Sequence, residues 1–159
     1  MIIKGLRDED FLQYKLPSMF VIFPSCSFKC ERECGLKNIC QNSSVAKAPD
    51  ITISASDIVA RYLKNDITKA LVCGGLEPFD SFKSLIQLLH EFRKYSSDPF
   101  IIYTGYYKDE IDIENLIMIK NYPNVIIKWG RFKPNQHSHY DEVLGVELAS
   151  PNQFAEVLS

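Results

Sequence analysis

The sequence predicts an α/β fold, either a partial (β/α) barrel or an open parallel sheet, built from about five βα units. Short apolar runs typical of buried strands alternate along the chain with longer segments in which apolar residues recur at helical spacing. Strands that alternate with helices form parallel βαβ units. The chain has 159 residues, whereas a closed barrel of eight such units takes about 250. The length therefore allows a single domain with an incomplete barrel or an open sheet.

Each predicted element has its own signal. The first strand, residues 19–23, is apolar throughout and is followed by a polar segment that extends to about Pro49. Ser56 and Asp57 are N-cap residues for a helix that ends near Leu63. Two longer helices are predicted by apolar residues at helical spacing, and they cover residues 79–95 and 107–120. The remaining predicted strands are residues 70–73, 100–103, 125–127 and 143–148.

The composition argues against several classes of protein. Hydrophobic residues make up 46% of the chain and charged residues 24%, which is ordinary for a soluble globular domain. The net charge is −2 and the 18 Lys and Arg residues are scattered, so no basic stripe indicates a nucleic-acid partner. There is no apolar leader, and no segment reaches the roughly 20 apolar residues of a membrane span. We therefore expect a cytoplasmic protein that binds neither nucleic acid nor a membrane.

Four of the five cysteines lie together in the polar segment that follows the first predicted strand. In a reducing cytoplasm, clustered thiols bind metal more often than they form disulfides. A 4Fe-4S cluster held by three cysteines leaves one iron open to a further ligand. Cys26 and Cys30 would supply two thiolates, and the spacing leaves the third ligand as either Cys34 or Cys40. Because four thiolates also satisfy tetrahedral zinc, the spacing alone does not separate a zinc site from a cluster.

Two further polar segments also follow predicted strands. Gly74 and Gly75, with Glu77 close behind, end the strand at 70–73, and Thr104 with Gly105 ends the strand at 100–103. In parallel α/β folds the functional site lies beyond the carboxyl ends of the strands. We therefore expect the cysteine segment and these two turns to share one rim of the sheet.

A cysteine segment after the first strand, a Gly-Gly with a nearby acid after the second, and a truncated βα architecture together resemble the radical S-adenosylmethionine superfamily. Within that superfamily, three segments resemble the anaerobic ribonucleotide reductase activating proteins, which are glycyl-radical enzyme activases. The segments are Y-T-G-Y at 103–106, W-G-R-F at 129–132 and A-S-P-N-Q at 149–153.

The chain departs from the superfamily pattern at three points. The usual C-x3-C-x2-C spacing would place the third cysteine at Glu33. The C-Q-N-S segment that begins at Cys40 resembles a group of short relatives, which favours Cys40 over Cys34 as the third ligand. Leu76 separates the Gly-Gly pair from its acid, and Trp129 stands where the activating proteins usually carry an acid.

The resemblance implies a cofactor set and a group of residues that bind it. One domain, residues 1–159, would carry the cluster in a loop at about 24–47 and would use S-adenosylmethionine to generate a 5′-deoxyadenosyl radical, with no catalytic residue separate from the cluster and S-adenosylmethionine. The implied cluster ligands are Cys26, Cys30 and Cys40, with Cys34 as the alternative third ligand. The implied cofactor contacts are Phe28, Gly74, Gly75, Glu77, Thr104 and Gly105.

The resemblance also implies partners. The radical would be passed to a glycine of a glycyl-radical enzyme under anaerobic conditions, and a flavodoxin or ferredoxin would supply the electron. A partial barrel leaves one side open, which suits a macromolecular substrate. The alternatives are a radical enzyme that modifies another peptide or a small molecule, a cluster that only transfers electrons, and a non-catalytic structural zinc or iron-sulfur module.

Overall fold

A computed structural model of the chain describes residues 1–37 and 39–159. The predicted cluster loop at 24–47 is therefore described except for residue 38. Ten strands and five α-helices follow one another in the described chain. The strands are β1 Ile2–Ile3, β2 Gly5–Asp10, β3 Ser18–Phe23, β4 Ile51–Thr52, β5 Ala70–Gly75, β6 Phe100–Tyr103, β7 Val125–Trp129, β8 His139–Asp141, β9 Val146–Leu148 and β10 Phe154–Val157. The helices are α1 Lys29–Cys34, α2 Ser43–Ala46, α3 Ala55–Leu63, α4 Phe82–Arg93 and α5 Ile113–Lys120.

Six of these strands form the central sheet, in the order β10-β7-β6-β5-β3-β2. The inner four strands, β3, β5, β6 and β7, run parallel, and β2 and β10 pair antiparallel at the two edges. This arrangement confirms the predicted α/β class with an open, mostly parallel sheet. The expected number of about five units corresponds to four parallel strands, because the last predicted strand does not join this sheet.

Helices α3, α4 and α5 pack on one face of the sheet because their apolar residues recur on one side. In α4 the residues that pack inward are Leu85, Leu88, Leu89 and Phe92. Two predicted helices are shorter than expected, since a 3-10 turn precedes α4 at Pro78–Ser81 and another precedes α5 at Lys108–Glu110. None of the helices in the described part of the chain has the length and apolar character that crossing a bilayer requires.

The opposite face of the sheet is covered by a hairpin rather than by helices. Strands β8 and β9 pair with each other, and Leu144 and Leu148 pack with Phe20 and Ile126 of the sheet. Asp141 holds the hairpin because its carboxylate accepts hydrogen bonds from the backbone of its own turn and of β10. The predicted strand at 143–148 is therefore only three residues long and belongs to this hairpin. The hairpin thus covers this sheet face, and the expectation that a partial barrel leaves one side open to a macromolecular substrate stays a prediction.

Candidate metal and cofactor site

A cavity of about 550 Å³ lies at the carboxyl ends of the four parallel strands. Its volume falls within the roughly 300–1,000 Å³ typical of small-molecule sites. The walls come from the cysteine loop, from the turns after β5, β6 and β7, from the sheet itself, from the segment after β2 and from the hairpin strand β9. Seven of the residues predicted as ligands or cofactor contacts line it together: Cys26, Cys30, Cys40, Gly75, Glu77, Thr104 and Gly105.

Three thiols of the cysteine loop line one side of this cavity. Burial raises the pKa of the Cys26 thiol to about 11, although its sulfur accepts a hydrogen bond from the Phe28 N–H at 3.2 Å. The side chains of Cys30 and Cys40 form a hydrogen bond. This bond lowers the pKa of the Cys40 thiol to about 6 and raises the pKa of the Cys30 thiol well above its ordinary value.

The other two cysteines point elsewhere. Cys34 is exposed at the end of α1, where its thiol donates to the carbonyl oxygen of Glu31 at 3.6 Å. Cys73 is fully buried in the sheet, as expected for a small core residue. The four cysteines of the loop therefore do not form one tetrahedral group around a single point.

The donor set fits a 4Fe-4S cluster better than it fits a single ion. Among the described residues, no three His, Cys, Asp or Glu side chains form a group that could hold one metal ion. In a cluster each thiolate binds a different iron, so three thiols on one side of the cavity suffice. The cations Lys29 and Arg131 line the same cavity, and they would offset the negative charge of the thiolates.

Phe28, predicted as a cofactor contact, is half-buried and lies outside the cavity wall. It adopts the left-handed conformation, with φ of 52°, and its carbonyl oxygen accepts from Glu31 and Arg32 at the start of α1. A bulky residue in this conformation is uncommon. The residue therefore turns the chain between Cys26 and Cys30 so that both thiols face the cavity.

Glu77 is a buried carboxylate that joins the turns after β5 and β6. One oxygen accepts from the Thr104 hydroxyl at 2.8 Å and from the Phe79 N–H, and the other accepts from the Gly105 N–H at 2.8 Å. Burial raises the pKa of Glu77 to about 7, against the opposing effect of these hydrogen bonds. A carboxylate has about four acceptor sites, so one remains for a donor in the cavity.

The two glycines at the end of β5 have separate packing reasons. Gly75 has φ of +81°, and a Cβ there would lie 2.4 Å from Cγ2 of Ile22. Gly74 lies outside the cavity wall, and its missing side chain leaves room for Phe20 and Tyr103, each of which would be 3.1 Å from a Cβ. Of these two glycines, only Gly75 contributes its backbone to the cavity wall.

Side chains that sequence reasoning did not select hold the cysteine loop on the rim. Asp80 accepts from the backbone N–H of Ser27 at 2.6 Å and from the hydroxyl of Tyr106. Asp80 follows Glu77 by only three residues. This proximity to a predicted site residue was the one feature of the sequence that could have identified Asp80. Its partners are distant in sequence, so the contact itself was not visible.

A set of ion pairs joins the cysteine loop to the turns after β6 and β7. Arg131 donates twice to the carboxylate of Glu110, at 2.6 and 2.7 Å, and its Nε lies 3.0 Å from Glu33. Lys29 reaches Glu110 at 3.2 Å. Although burial opposes it, the hydrogen bonds from Arg131, the backbone of Tyr107 and Lys29 lower the pKa of Glu110 to about 2. Glu33, where the superfamily spacing would place a cysteine, is thus an ion-pair partner of Arg131.

The comparisons with known proteins identify one family. A family model described as a 4Fe-4S single cluster domain matches residues 18–151. The match begins at the first parallel strand and includes the cysteine loop, the other parallel strands and the hairpin. No curated protein and no solved structure matches the chain.

Proposed function

The chain belongs to the family of 4Fe-4S single cluster domains, and we propose that it is a radical S-adenosylmethionine enzyme that installs a glycyl radical on a partner protein. The observation that carries the proposal is the convergence of three thiols and two strand-end turns on one cavity of about 550 Å³. An iron-sulfur protein that only transferred electrons would need its cluster near the surface. It would not need a cavity of small-molecule size beside the thiols.

Cys26, Cys30 and Cys40 would hold the cluster. The geometry supports this set because these three thiols line the cavity, whereas the thiol of Cys34 bonds to its own helix. Phe28 turns the chain between the first two ligands, and Asp80 fixes the backbone next to Cys26. The protein thereby orients the ligands through contacts outside the cysteines.

S-Adenosylmethionine would occupy the cavity between the cysteines and the strand ends. Glu77 keeps one acceptor site free, which suits a charge-assisted hydrogen bond from the cofactor's ammonium group. Gly75 presents backbone where a side chain would collide with Ile22. Thr104 and Gly105 hold the Glu77 carboxylate in place, so their contribution to binding is to orient it.

When bound, a reduced 4Fe-4S cluster supplies one electron that cleaves S-adenosylmethionine into methionine and a 5′-deoxyadenosyl radical, which abstracts hydrogen from a substrate. The chain's own part is to bind both groups side by side and to exclude water. The buried Glu77 and the sheet face below it provide a wall with little access to solvent.

The proposed substrate is a glycine in a loop of a glycyl-radical enzyme, reached in an anaerobic cytoplasm with an electron from a flavodoxin or ferredoxin. The hairpin of β8 and β9 covers the sheet face, so the substrate would approach from the rim. Glycine has no side chain, and its Cα can therefore approach a recessed site more closely than that of any other residue.

The test is anaerobic reconstitution followed by reduction in the presence of S-adenosylmethionine. We expect a brown protein with about four irons and four sulfides per chain, formation of 5′-deoxyadenosine, and a glycyl radical signal in electron paramagnetic resonance only when a glycyl-radical enzyme is added. Cleavage without that signal, across a panel of such enzymes, would contradict the activase role and leave a radical enzyme with another substrate. A cluster without cleavage would indicate electron transfer alone. Stoichiometric zinc with no visible absorption would contradict the whole proposal.

A further inference from the structure

The inner end of the cavity contains a buried cation that the proposed chemistry does not use. Lys128 lies in β7, within a strand that is buried along its whole length, and its side chain lines the cavity. Lys128 is only 6% exposed. Its ammonium donates to the carbonyl oxygen of Gly130 at 2.7 Å. Since an ammonium has three donors, two remain for other partners.

No ion pair neutralises this charge within the described part of the chain, where every recorded ion pair of 4.0 Å or less involves other residues. Glu77 is the acid whose charge acts on Lys128. Within the described chain, however, neither Glu77 oxygen lies within 4.0 Å of the ammonium, so this charge acts only from a distance. In its protonated form Lys128 is therefore a buried cation without a counter-ion in contact with it.

The space beside Lys128 is shaped by its neighbours in the sheet. Tyr103 pairs with Lys128 in the register of β6 and β7, and the ammonium lies 5.9 Å from the centre of the tyrosine ring. The hydroxyl of Tyr103 donates to the carbonyl of Gln13, which holds the ring in place. Gln13 and Tyr103 also line the cavity. The ammonium is thus presented to the cavity beside a fixed aromatic wall.

A charge in this position is costly for folding. Burying an ammonium without a partner is strongly unfavourable, so such groups are generally paired or shift their pKa. Burial lowers the pKa of Lys128 to about 7, partly offset by Glu77. An apolar side chain such as methionine would fill the same space at no electrostatic cost. Packing alone therefore does not explain a lysine at this position, whereas binding of a negatively charged ligand does.

We propose that Lys128 anchors a subsite that binds a carboxylate group of a ligand at the inner end of the cavity. A carboxylate is favoured over a phosphate because one buried cation neutralises one negative charge. A phosphate dianion would leave an unpaired charge beside the Tyr103 ring. The aromatic wall suits the carbon atoms that carry the carboxylate. This inference rests on the sheet geometry and does not depend on the cluster chemistry.

Two sources could supply this carboxylate. One is the amino-acid end of S-adenosylmethionine, and the other is a carboxylate of the substrate itself. Both would make the same charge-assisted hydrogen bond with Lys128, so the experiment has to separate them.

The test compares thermal unfolding of the cluster-free full chain in sodium acetate, in sodium chloride of equal ionic strength, and in chloride with acetamide. We expect acetate alone to raise the melting temperature of the unaltered protein, saturably and by roughly 2 °C or more, because it binds the folded state. Lys128→Met should remove this rise. Lys120→Met, at an exposed position on α5, should keep it.

The same variant separates a binding role from a structural one. In chloride, Lys128→Met should melt roughly 2–4 °C higher than the unaltered protein, because it removes a buried charge. A lower melting temperature would show that Lys128 stabilises the fold, and it would overturn the proposal. An equal acetate effect in the Lys128→Met variant, or none in the unaltered protein, would also overturn it.

A second arm identifies the source of the carboxylate. If S-adenosylmethionine raises the melting temperature and its carboxamide analogue does not, and if acetate adds nothing further, the cofactor occupies the subsite. If acetate still adds its full effect in saturating S-adenosylmethionine, the subsite belongs to the substrate. Both outcomes support the subsite itself, and neither requires that the radical chemistry succeed.

Discussion

The two ends of the cavity are stabilised in different ways. At the cysteine end, α1 and α2 contain no buried residue, and the loop is held by polar contacts such as Asp80 to Ser27 and Arg131 to Glu33. At the sheet end, Tyr103 and Lys128 belong to β6 and β7, which are each paired with a strand on both sides. Apolar packing lies beneath them on both faces of the sheet. One end is therefore attached to the surface of the domain, and the other is part of its core.

Because of this difference, we expect the residues that stabilise the fold to be largely distinct from those that bind the cluster. Exposed ion pairs contribute little to folding, typically about 0–1 kcal/mol each, so the cysteine end can change with small effect on the stability of the domain. A buried strand cannot change with so small an effect, because a core substitution lowers the free energy of unfolding by several times as much. We therefore expect substitutions at the cysteine end to alter the cluster, and substitutions at the sheet end to alter the fold.

The largest expected effect is the loss of the cluster at the cysteine end. Cys26→Ala, Cys30→Ala and Cys40→Ala should each abolish cluster retention after anaerobic reconstitution, since each removes a thiolate that faces the cavity. Iron and sulfide content and visible absorption measure the result. Cys34→Ala is the matched control and should retain the cluster, because its thiol faces away. Retention in Cys40→Ala together with loss in Cys34→Ala would reverse the ligand assignment.

Two glycines with positive φ provide the next comparison, because Gly75 lies in the cavity wall at the end of β5 whereas Gly35 is exposed at the end of α1. Gly75→Ala should lower the free energy of unfolding by roughly 2–5 kcal/mol, since it adds backbone strain and a collision 2.4 Å from Ile22. Gly35→Ala should cost about 1 kcal/mol, from its backbone conformation alone, because the space beside Gly35 is open. Urea unfolding of the cluster-free chain measures both. Equal losses would contradict the distinction between a core end and a surface end.

A third expected effect is a pH dependence that arises at the sheet end. Burial raises the pKa of Glu77 from 4.5 to about 7, so the folded state holds more protons than the unfolded state, and stability falls as the pH rises through this range. Burial lowers the pKa of Lys128 from 10.5 to about 7, so the unfolded state holds more protons above pH 7, and stability rises again. These two groups therefore place a minimum of stability near pH 7, with an acid limb of about 3 kcal/mol at most and an alkaline limb of about 5 kcal/mol at most.

Urea unfolding across pH 5 to 10 tests this, roughly the interval that the two shifts define. Glu77→Gln should flatten the acid limb of the curve, and Lys128→Met should flatten the alkaline limb. Each variant thus serves as the control for the other. If both variants keep the full curve of the unaltered protein, other groups cause the pH dependence.

The four parallel strands could be predicted from the sequence because each is a short apolar run between turns, and each lies within two residues of its predicted bounds. The two edge strands could not. Strand β2 has the sequence G-L-R-D-E-D, which carries four charges, and β10 is only four residues long. Both are strands because a neighbouring strand offers unpaired backbone groups, β3 to β2 and β7 to β10, and the residues of β2 and β10 carry no apolar run of their own.

The candidate site divides in the same way. Cysteine spacing and the order of the polar turns after strands were enough to select the residues that line the rim, because parallel strands bring their carboxyl ends together. The sequence alone did not show that Cys34 points away while Cys40 joins Cys26 and Cys30, since that depends on how the loop closes. Nor did it show that hydrogen bonds from neighbouring turns occupy three acceptor sites of the Glu77 carboxylate.

By itself, the sequence determined the α/β class, and it predicted a metal site in the cysteine loop at the rim of the sheet, because periodicity and spacing are local properties of the chain. Only the tertiary structure decided which thiols share a cavity, that the hairpin of β8 and β9 covers the open sheet face, and that Lys128 is buried without a counter-ion. Those outcomes depend on contacts between residues far apart in sequence, and the free energy of burying a charge or an apolar surface is set by the neighbours that folding brings together.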